Sequence, residues 1–158
     1  NDLLFYHLDV RVDPEKKYLS GKVAIRFKML QDATRIQLDL HAALQVDKIL
    51  LGDTALKYER DSGAVFVDFP LTLRTGTTYT IDFYYSGNPV ETGRFGAITF
   101  KKDPSGHHWI NTACEGIGAS VWWPNKDQWH DEVESMEISV SIPNDLVETL
   151  ELDATGEI

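Results

Sequence analysis

Glu115, set in Thr112-Ala113-Cys114-Glu115-Gly116, is the residue of this chain whose surroundings best suit a chemical task. It follows an apolar, partly β run at Trp109-Ile110 and precedes a glycine-flanked bend, Gly116-Ile117-Gly118. A carboxylate among Cys, Gly and Ile is poorly placed for simple solvation. Facing a cleft, it would hold a cation through a charge-assisted hydrogen bond. Most glutamates are solvated or salt-bridged, and composition alone leaves that reading of Glu115 standing beside the functional one.

Other constellations are weaker. The histidines are His7, His41, His107, His108 and His130, and none is followed directly by Glu, so no His-Glu-x-x-His exists. His107 and His108 are adjacent, and on a strand they point to opposite faces. His130-Asp131-Glu132 supplies three ligand types in consecutive positions, which regular structure rarely brings to one metal. Asp127, Asp131 and Glu132 lack the spacing and central glycine of a calcium loop. The sequence therefore predicts no metal site. Gly116-Ile117-Gly118 lacks the third glycine of a dinucleotide fingerprint, and Gly118-Ala119-Ser120-Val121-Trp122 lacks the closing glycine of a nucleophile elbow. A single cysteine, Cys114, excludes an intrachain disulfide. The four tryptophans, Trp109, Trp122, Trp123 and Trp129, crowd into one stretch. They would serve as core or interface packing, or as a sugar-stacking platform. We expect an apolar surface around Trp122, Trp123 and Trp129 that packs on another domain.

The elements that must position these residues are strands. Apolar and polar residues alternate along Tyr6–Val12, Leu19–Met29, Ile36–Leu40, Val65–Phe69, Tyr79–Tyr85 and Met136–Ile142. Asp13-Pro14-Glu15-Lys16, Gly52-Asp53, Asp61-Ser62-Gly63, Thr75-Gly76 and Ser86-Gly87-Asn88-Pro89 punctuate them as turns. No helical period is sustained. The pattern predicts an all-β domain, a twisted antiparallel sandwich or saddle of two or more sheets. Alternation lapses between Ser86 and Val133, where Glu115 lies, and such a break often marks a working edge.

Charge narrows the partners. Of the 25 acids, ten lie from Asp127 onward with no Lys or Arg, leaving 15 against 15 bases in the rest. That acidic end repels phosphate backbones, so nucleic acid is not expected; it reads as a solvated face or a surface for a basic partner domain. With 158 residues the chain fits one domain. It contains no apolar run long enough for a membrane span. It opens on Asn1-Asp2-Leu3-Leu4 without a leader pattern, as a processed or excised piece would. We expect a soluble protein; a secreted or periplasmic origin is compatible, and the compartment is left open.

The run Thr112-Ala113-Cys114-Glu115-Gly116-Ile117-Gly118-Ala119-Ser120-Val121-Trp122-Trp123-Pro124-Asn125-Lys126-Asp127 resembles the amino-terminal domain of the M1 family of zinc aminopeptidases, relatives of aminopeptidase N and leukotriene A4 hydrolase. Tyr6-His7-Leu8-Asp9-Val10, Leu19-Ser20-Gly21-Lys22-Val23-Ala24-Ile25 and Ile138-Ser139-Val140-Ser141-Ile142-Pro143 resemble its flanking strands. The resemblance implies a β-saddle domain over 1–146, with 147–158 an unassigned extension or the start of the next segment. It also implies that Glu115 binds the free α-amine of a peptide substrate, and that the zinc, its ligands and the catalytic glutamate belong to a following catalytic domain. The isolated chain would then be inactive, with no cofactor of its own. Two positions depart from the family pattern: Ala113 stands where many relatives have Gln, and Asn125 where some have Cys. The alternative is a free-standing β-sandwich module that binds carbohydrate or protein.

Overall fold

The computed structural model describes residues 1–91, 97–114, 118–128, 130–131, 133–144 and 146. Eleven strands are found there: β1 Asp2–Asp13, β2 Tyr18–Lys28, β3 Ala33–Asp39, β4 Leu44–Leu51, β5 Thr54–Ala55, β6 Lys57–Asp61, β7 Ala64–Leu73, β8 Thr78–Gly87, β9 Ala97–Lys102, β10 His108–Ala113 and β11 Ser135–Ser141. A three-residue 3-10 helix, Ala119–Val121, is the one helical element among the described residues. The all-β expectation holds.

The strands form a six-stranded sheet, β11-β1-β2-β8-β4-β5, a three-stranded sheet, β3-β7-β6, and the two-stranded β10-β9. The pairing is antiparallel except at one edge, where β11 runs parallel to β1 from Phe5 opposite Ser135 to Arg11 opposite Ser141. The large sheet is thus mixed rather than purely antiparallel. Period-two alternation says which face of a strand is buried but not the direction of its neighbour.

Alternation converts directly into core. Tyr6, Leu8, Val10 and Val12 from β1, Leu19, Val23, Ile25 and Phe27 from β2, and Ile81, Phe83 and Tyr85 from β8 are all buried. They meet Ile36 and Leu38 of β3 and Val65, Val67 and Phe69 of β7 in one cluster, with Phe27 edge-on to Phe69 at 6.4 Å. Two bulges shift parity. One between Leu3 and Phe5 lets both Leu3 and Tyr6 face inward, and one between Val46 and Lys48 does the same for Leu44 and Ile49. At Gly21 a side chain has no room, because a Cβ would fall 2.6 Å from the Asp9 carbonyl oxygen and 3.1 Å from the Tyr85 ring. The Tyr85 ring fills the space that a side chain on β2 would need.

Candidate functional site

The residues around position 115 begin on β10. Its partner β9 turns into it through Asp103-Pro104-Ser105-Gly106. The Asp103 carboxylate accepts the N–H groups of Ser105 at 2.8 Å and His107 at 2.9 Å. Those donors, His107 foremost, hold the Asp103 carboxyl below the usual carboxylate range. Ile98 and Phe100 of β9 are buried and Ile110 of β10 packs on the core, so the hairpin is fixed by one apolar face. Trp109 lies opposite Lys101 on the other face and is 64% exposed. β10 ends with Thr112 opposite Ile98 and Ala113 opposite Ala97, and the chain then leaves the sheet at Cys114.

Glu115 lies outside the described residues, as do Gly116, Ile117, Trp129 and Glu132. The Gly118 N–H donates to the Cys114 carbonyl at 3.3 Å, joining the two ends of the bend. Gly118 then adopts φ 78°, ψ 161°, a conformation open in practice only to glycine, and leads into Ala119–Val121. Burial pushes the Cys114 thiol up; the nearby Trp122 side chain pulls it partly back, and the Asp127 charge adds to the rise. Such a thiol is not primed as a nucleophile.

The far side of the loop is bolted to both larger sheets. The Ser120 carbonyl accepts the His41 N–H at 2.8 Å. The His41 segment is itself held by Arg60, whose guanidinium donates to the carbonyls of Leu40 and His41 at 2.6 Å each and of Leu44 at 2.5 Å. Asn125 and Asp39 exchange backbone hydrogen bonds of 2.7 and 3.1 Å, extending β3 by one bridge. The Asp39 carboxylate accepts the Asp127 N–H at 3.0 Å and the Gln37 amide at 3.1 Å. On the β1 side, the Lys126 N–H donates to the Tyr6 hydroxyl at 3.0 Å across 120 residues of sequence. The Lys126 ammonium pairs with Asp131 and donates to the Asn1 carbonyl at 2.8 Å, while Asp131 accepts the Leu3 N–H at 3.0 Å. With their side chains 12% and 10% exposed, Lys126 and Asp131 form a nearly buried pair. Breaking such a pair leaves a charge without compensation.

Trp123 departs from the expected tryptophan surface, of which Trp129 lies outside the described residues. It is 7% exposed and stands edge-on to Tyr6, with ring centroids 5.0 Å apart. Trp122 is half-buried beside it at 6.2 Å. These two rings anchor the loop inside the domain, and Trp109 is the one well-exposed tryptophan among the described residues. A platform of coplanar exposed rings, as a carbohydrate module would use, is not formed by Trp109, Trp122 and Trp123.

The acids considered as metal ligands are engaged elsewhere. Asp131 is committed to Lys126 and Leu3, and Asp127 accepts the Ser120 hydroxyl at 2.8 Å. His108 meets Glu15 at 2.8 Å, His107 meets Asp103 at 3.4 Å, and His7 lies 3.8 Å from Glu137. Among the described residues no group of three His, Cys, Asp or Glu side chains could hold a metal ion. Nor is any described helix long and apolar enough to cross a membrane.

Asp39, Tyr6 and Lys126, which lock the loop, were not evident from the sequence. Tyr6 and Asp39 lie far along the chain from the loop they hold, and their alternation signals only strand and face.

Comparison with known proteins completes the picture. No curated protein sequence matches the chain. Among solved structures it is similar to the M1 zinc metallopeptidase from Deinococcus radiodurans, with 21% identity and a TM-score of 0.73. A mutant of that protein bound to a Tyr-Ser-Ala substrate gives 22% and 0.74, and a two-domain M1 zinc metallopeptidase mutant bound to L-arginine gives 23% and 0.74. Each alignment covers 98% of this chain but 37% of the other, so the chain spans about a third of these proteins. At these identities the likeness establishes the fold. The sequence also matches the profile of the peptidase M1 N-terminal domain over residues 4–148, nearly its whole length, and the chain belongs to that family.

Proposed function

We propose that residues 1–146 are the amino-terminal domain of a zinc-dependent aminopeptidase, forming one wall of its cleft, and that Glu115 binds the free α-amine of the peptide substrate. The observation that carries this reading is the family match over residues 4–148, which includes the whole Thr112–Asp127 segment. The fixed geometry on both sides of that segment supports it. The described residues after Glu115 are tied to the body of the domain, at Ser120 to His41 and at Asn125 to Asp39.

In this reading Glu115 accepts the substrate's α-ammonium together with a second carboxylate from the catalytic domain. A protonated amine in a water-poor cleft requires charge-assisted acceptors. A carboxylate at a fixed distance from the reacting centre also selects for a free amino terminus, which makes the enzyme an exopeptidase and positions the scissile carbonyl. In the same reading the zinc and the hydrolytic step belong to the following catalytic domain.

The test is steady-state kinetics of the full-length protein on an aminoacyl anilide. Losing one charge-assisted hydrogen bond costs about 1.5–3 kcal/mol, a roughly ten- to hundredfold fall in kcat/KM for Glu115→Ala. Glu115→Gln keeps an acceptor oxygen and part of the activity. Unchanged kcat/KM in a normally folded Glu115→Ala protein would return Glu115 to an ordinary surface side chain.

A further inference from the structure

Among the described strands, β9 and β10 pair with each other and with no strand of the two larger sheets. Their hairpin is held by its apolar face and, at its tip, by a polar contact. Glu15, in the turn between β1 and β2, meets His108 Nε2 at 2.8 Å and Lys102 Nζ at 3.6 Å. His108 and Lys102 are cross-strand partners beside the hairpin turn, so one carboxylate grips both strands. The His108 side chain is 14% exposed and that of Glu15 75%, so a nearly buried imidazole is reached by a carboxylate from the surface. The turn that carries Glu15 is itself tied down. The Lys16 N–H donates to the Asp13 carboxylate at 3.1 Å, and the Asn88 amide donates to the Lys16 and Lys17 carbonyls at 2.7 and 2.9 Å. The Lys17 ammonium pairs with Glu91 at 2.5 Å.

We propose that Glu15 and His108 form a proton-sensitive clasp between the β1–β2 turn and the tip of the β9–β10 hairpin, tight while His108 is an imidazolium and looser once it is neutral. The clasp is independent of any role for Glu115. An ionised carboxylate only accepts hydrogen bonds, so Nε2 carries its proton in both states of the ring. Loss of the Nδ1 proton removes the cation and leaves a neutral N–H donor, which turns an ion pair into an ordinary contact. The charges around the clasp set the window. Glu15 is held below the usual carboxylate range, by the His108 hydrogen bond first and by Lys102. Asp13 beside Lys16, Glu91 beside Lys17 and Asp103 beside His107 are lowered too. All four carboxylates therefore stay ionised above about pH 5. The cations there are Lys16, 3.2 Å from Asp13, Lys17 on Glu91, and Lys101 and Lys102 of β9. Lys102 shares Glu15 with the imidazolium and limits the gain. Imidazole is the side chain that changes charge between about pH 5 and 8. Two stand at this tip: His108 on Glu15, and His107, 3.4 Å from Asp103. The contribution of the clasp is complete at the acidic end of that window and falls as pH rises through it.

The experiment is hydrogen–deuterium exchange of the full-length protein at about pH 6 and about pH 8, on either side of the ordinary imidazole titration. Exchange is expressed as protection factors, which removes its intrinsic dependence on pH. The quantity read is the protection of β9 and β10 relative to that of β2 and β8. In the wild type this relative protection should fall about two- to fivefold between the two pH values, the size expected of a partly exposed ion pair. Glu15→Gln keeps an acceptor for the His108 N–H and loses the charge, so it should abolish the pH dependence. His108→Gln, which keeps a donor but cannot take up a proton, should do the same from the other side. His107→Gln should leave the dependence intact, because Asp103 and not Glu15 faces that ring. Relative protection that does not change with pH in the wild type would overturn the proposal. So would a dependence that survives Glu15→Gln, or one that disappears in His107→Gln and persists in His108→Gln.

Discussion

Replacing Gly118 with Ala probes the bend next to Glu115 through two separable effects. The first is conformational: φ 78°, ψ 161° lies where side chains other than glycine are strained, at about 1–3 kcal/mol. The second is steric. The new methyl would sit 1.9 Å from Asp127 Oδ2, so the carboxylate must swing away and release the Ser120 hydroxyl. Losing that exposed hydrogen bond adds about 1 kcal/mol. The sum is about 2–4 kcal/mol, and for a chain of this size each kcal/mol lowers Tm by about 2–4 °C, giving a fall of about 4–16 °C. The assay is thermal unfolding followed by circular dichroism for wild type, Gly118→Ala, Asp127→Ala and the double variant. Because Asp127→Ala removes the obstruction, the double variant should lie above the sum of the two single losses by about 1 kcal/mol. A Gly118→Ala protein melting within about 2 °C of wild type would refute the reasoning, as would strict additivity.

Two further outcomes follow from burial and from the assignment of zinc to the catalytic domain. Burial pushes the Tyr6 and Tyr85 hydroxyls well above their ordinary value of about 10, and the Tyr85 hydroxyl has no hydrogen-bond partner among the described residues. The folded state favours their neutral form, so their contribution to stability is complete below about pH 10 and declines as pH rises further, where the unfolded chain ionises first. Absorbance at 295 nm should show two of the six tyrosines staying protonated until the domain unfolds, and reversible ionisation of all six in a folded chain would contradict this. Separately, the 158-residue chain alone should retain no stoichiometric zinc after dialysis and hydrolyse no aminoacyl anilide. Bound zinc by elemental analysis, or turnover that a chelator abolishes, would overturn that assignment.

The fold class was legible wherever one strand face is buried without interruption. Strands β1, β2, β3, β7, β8 and β11 all carry visible alternation; the first five bury most of the face it marks, while β11 half-buries Met136 and Val140 and leaves Ile138 exposed. Strand β4 was hidden because its bulge at Val46/Lys48 breaks the period in the middle of an eight-residue element. Strands β5 and β6 are short and largely exposed, so neither has an apolar face to announce it. The parallel edge at β11 was hidden for the reason that hydrophobic pattern encodes burial and not direction. At the site, the Thr112–Asp127 run stood out as a break in alternation and as a family resemblance. The contacts that fix it could not be read. Tyr6 to Lys126 and Asp39 to Asp127 are long-range polar pairings, set by how the sheets close rather than by any local preference. Trp123 shows the same limit. Its neighbourhood of Trp, Pro and Asn reads as surface, yet it is drawn into the core by Tyr6, which alternation had already marked as inward-facing.

The most direct measurement of the central claim is a crystal structure of the full-length protein with a free amino acid or short peptide in its cleft. The account predicts that the ligand's α-ammonium lies about 2.7–2.9 Å from a Glu115 carboxylate oxygen, the length of a charge-assisted hydrogen bond. An α-amine held entirely by other residues, with the Glu115 carboxylate turned to solvent or paired with a lysine or arginine, would contradict it.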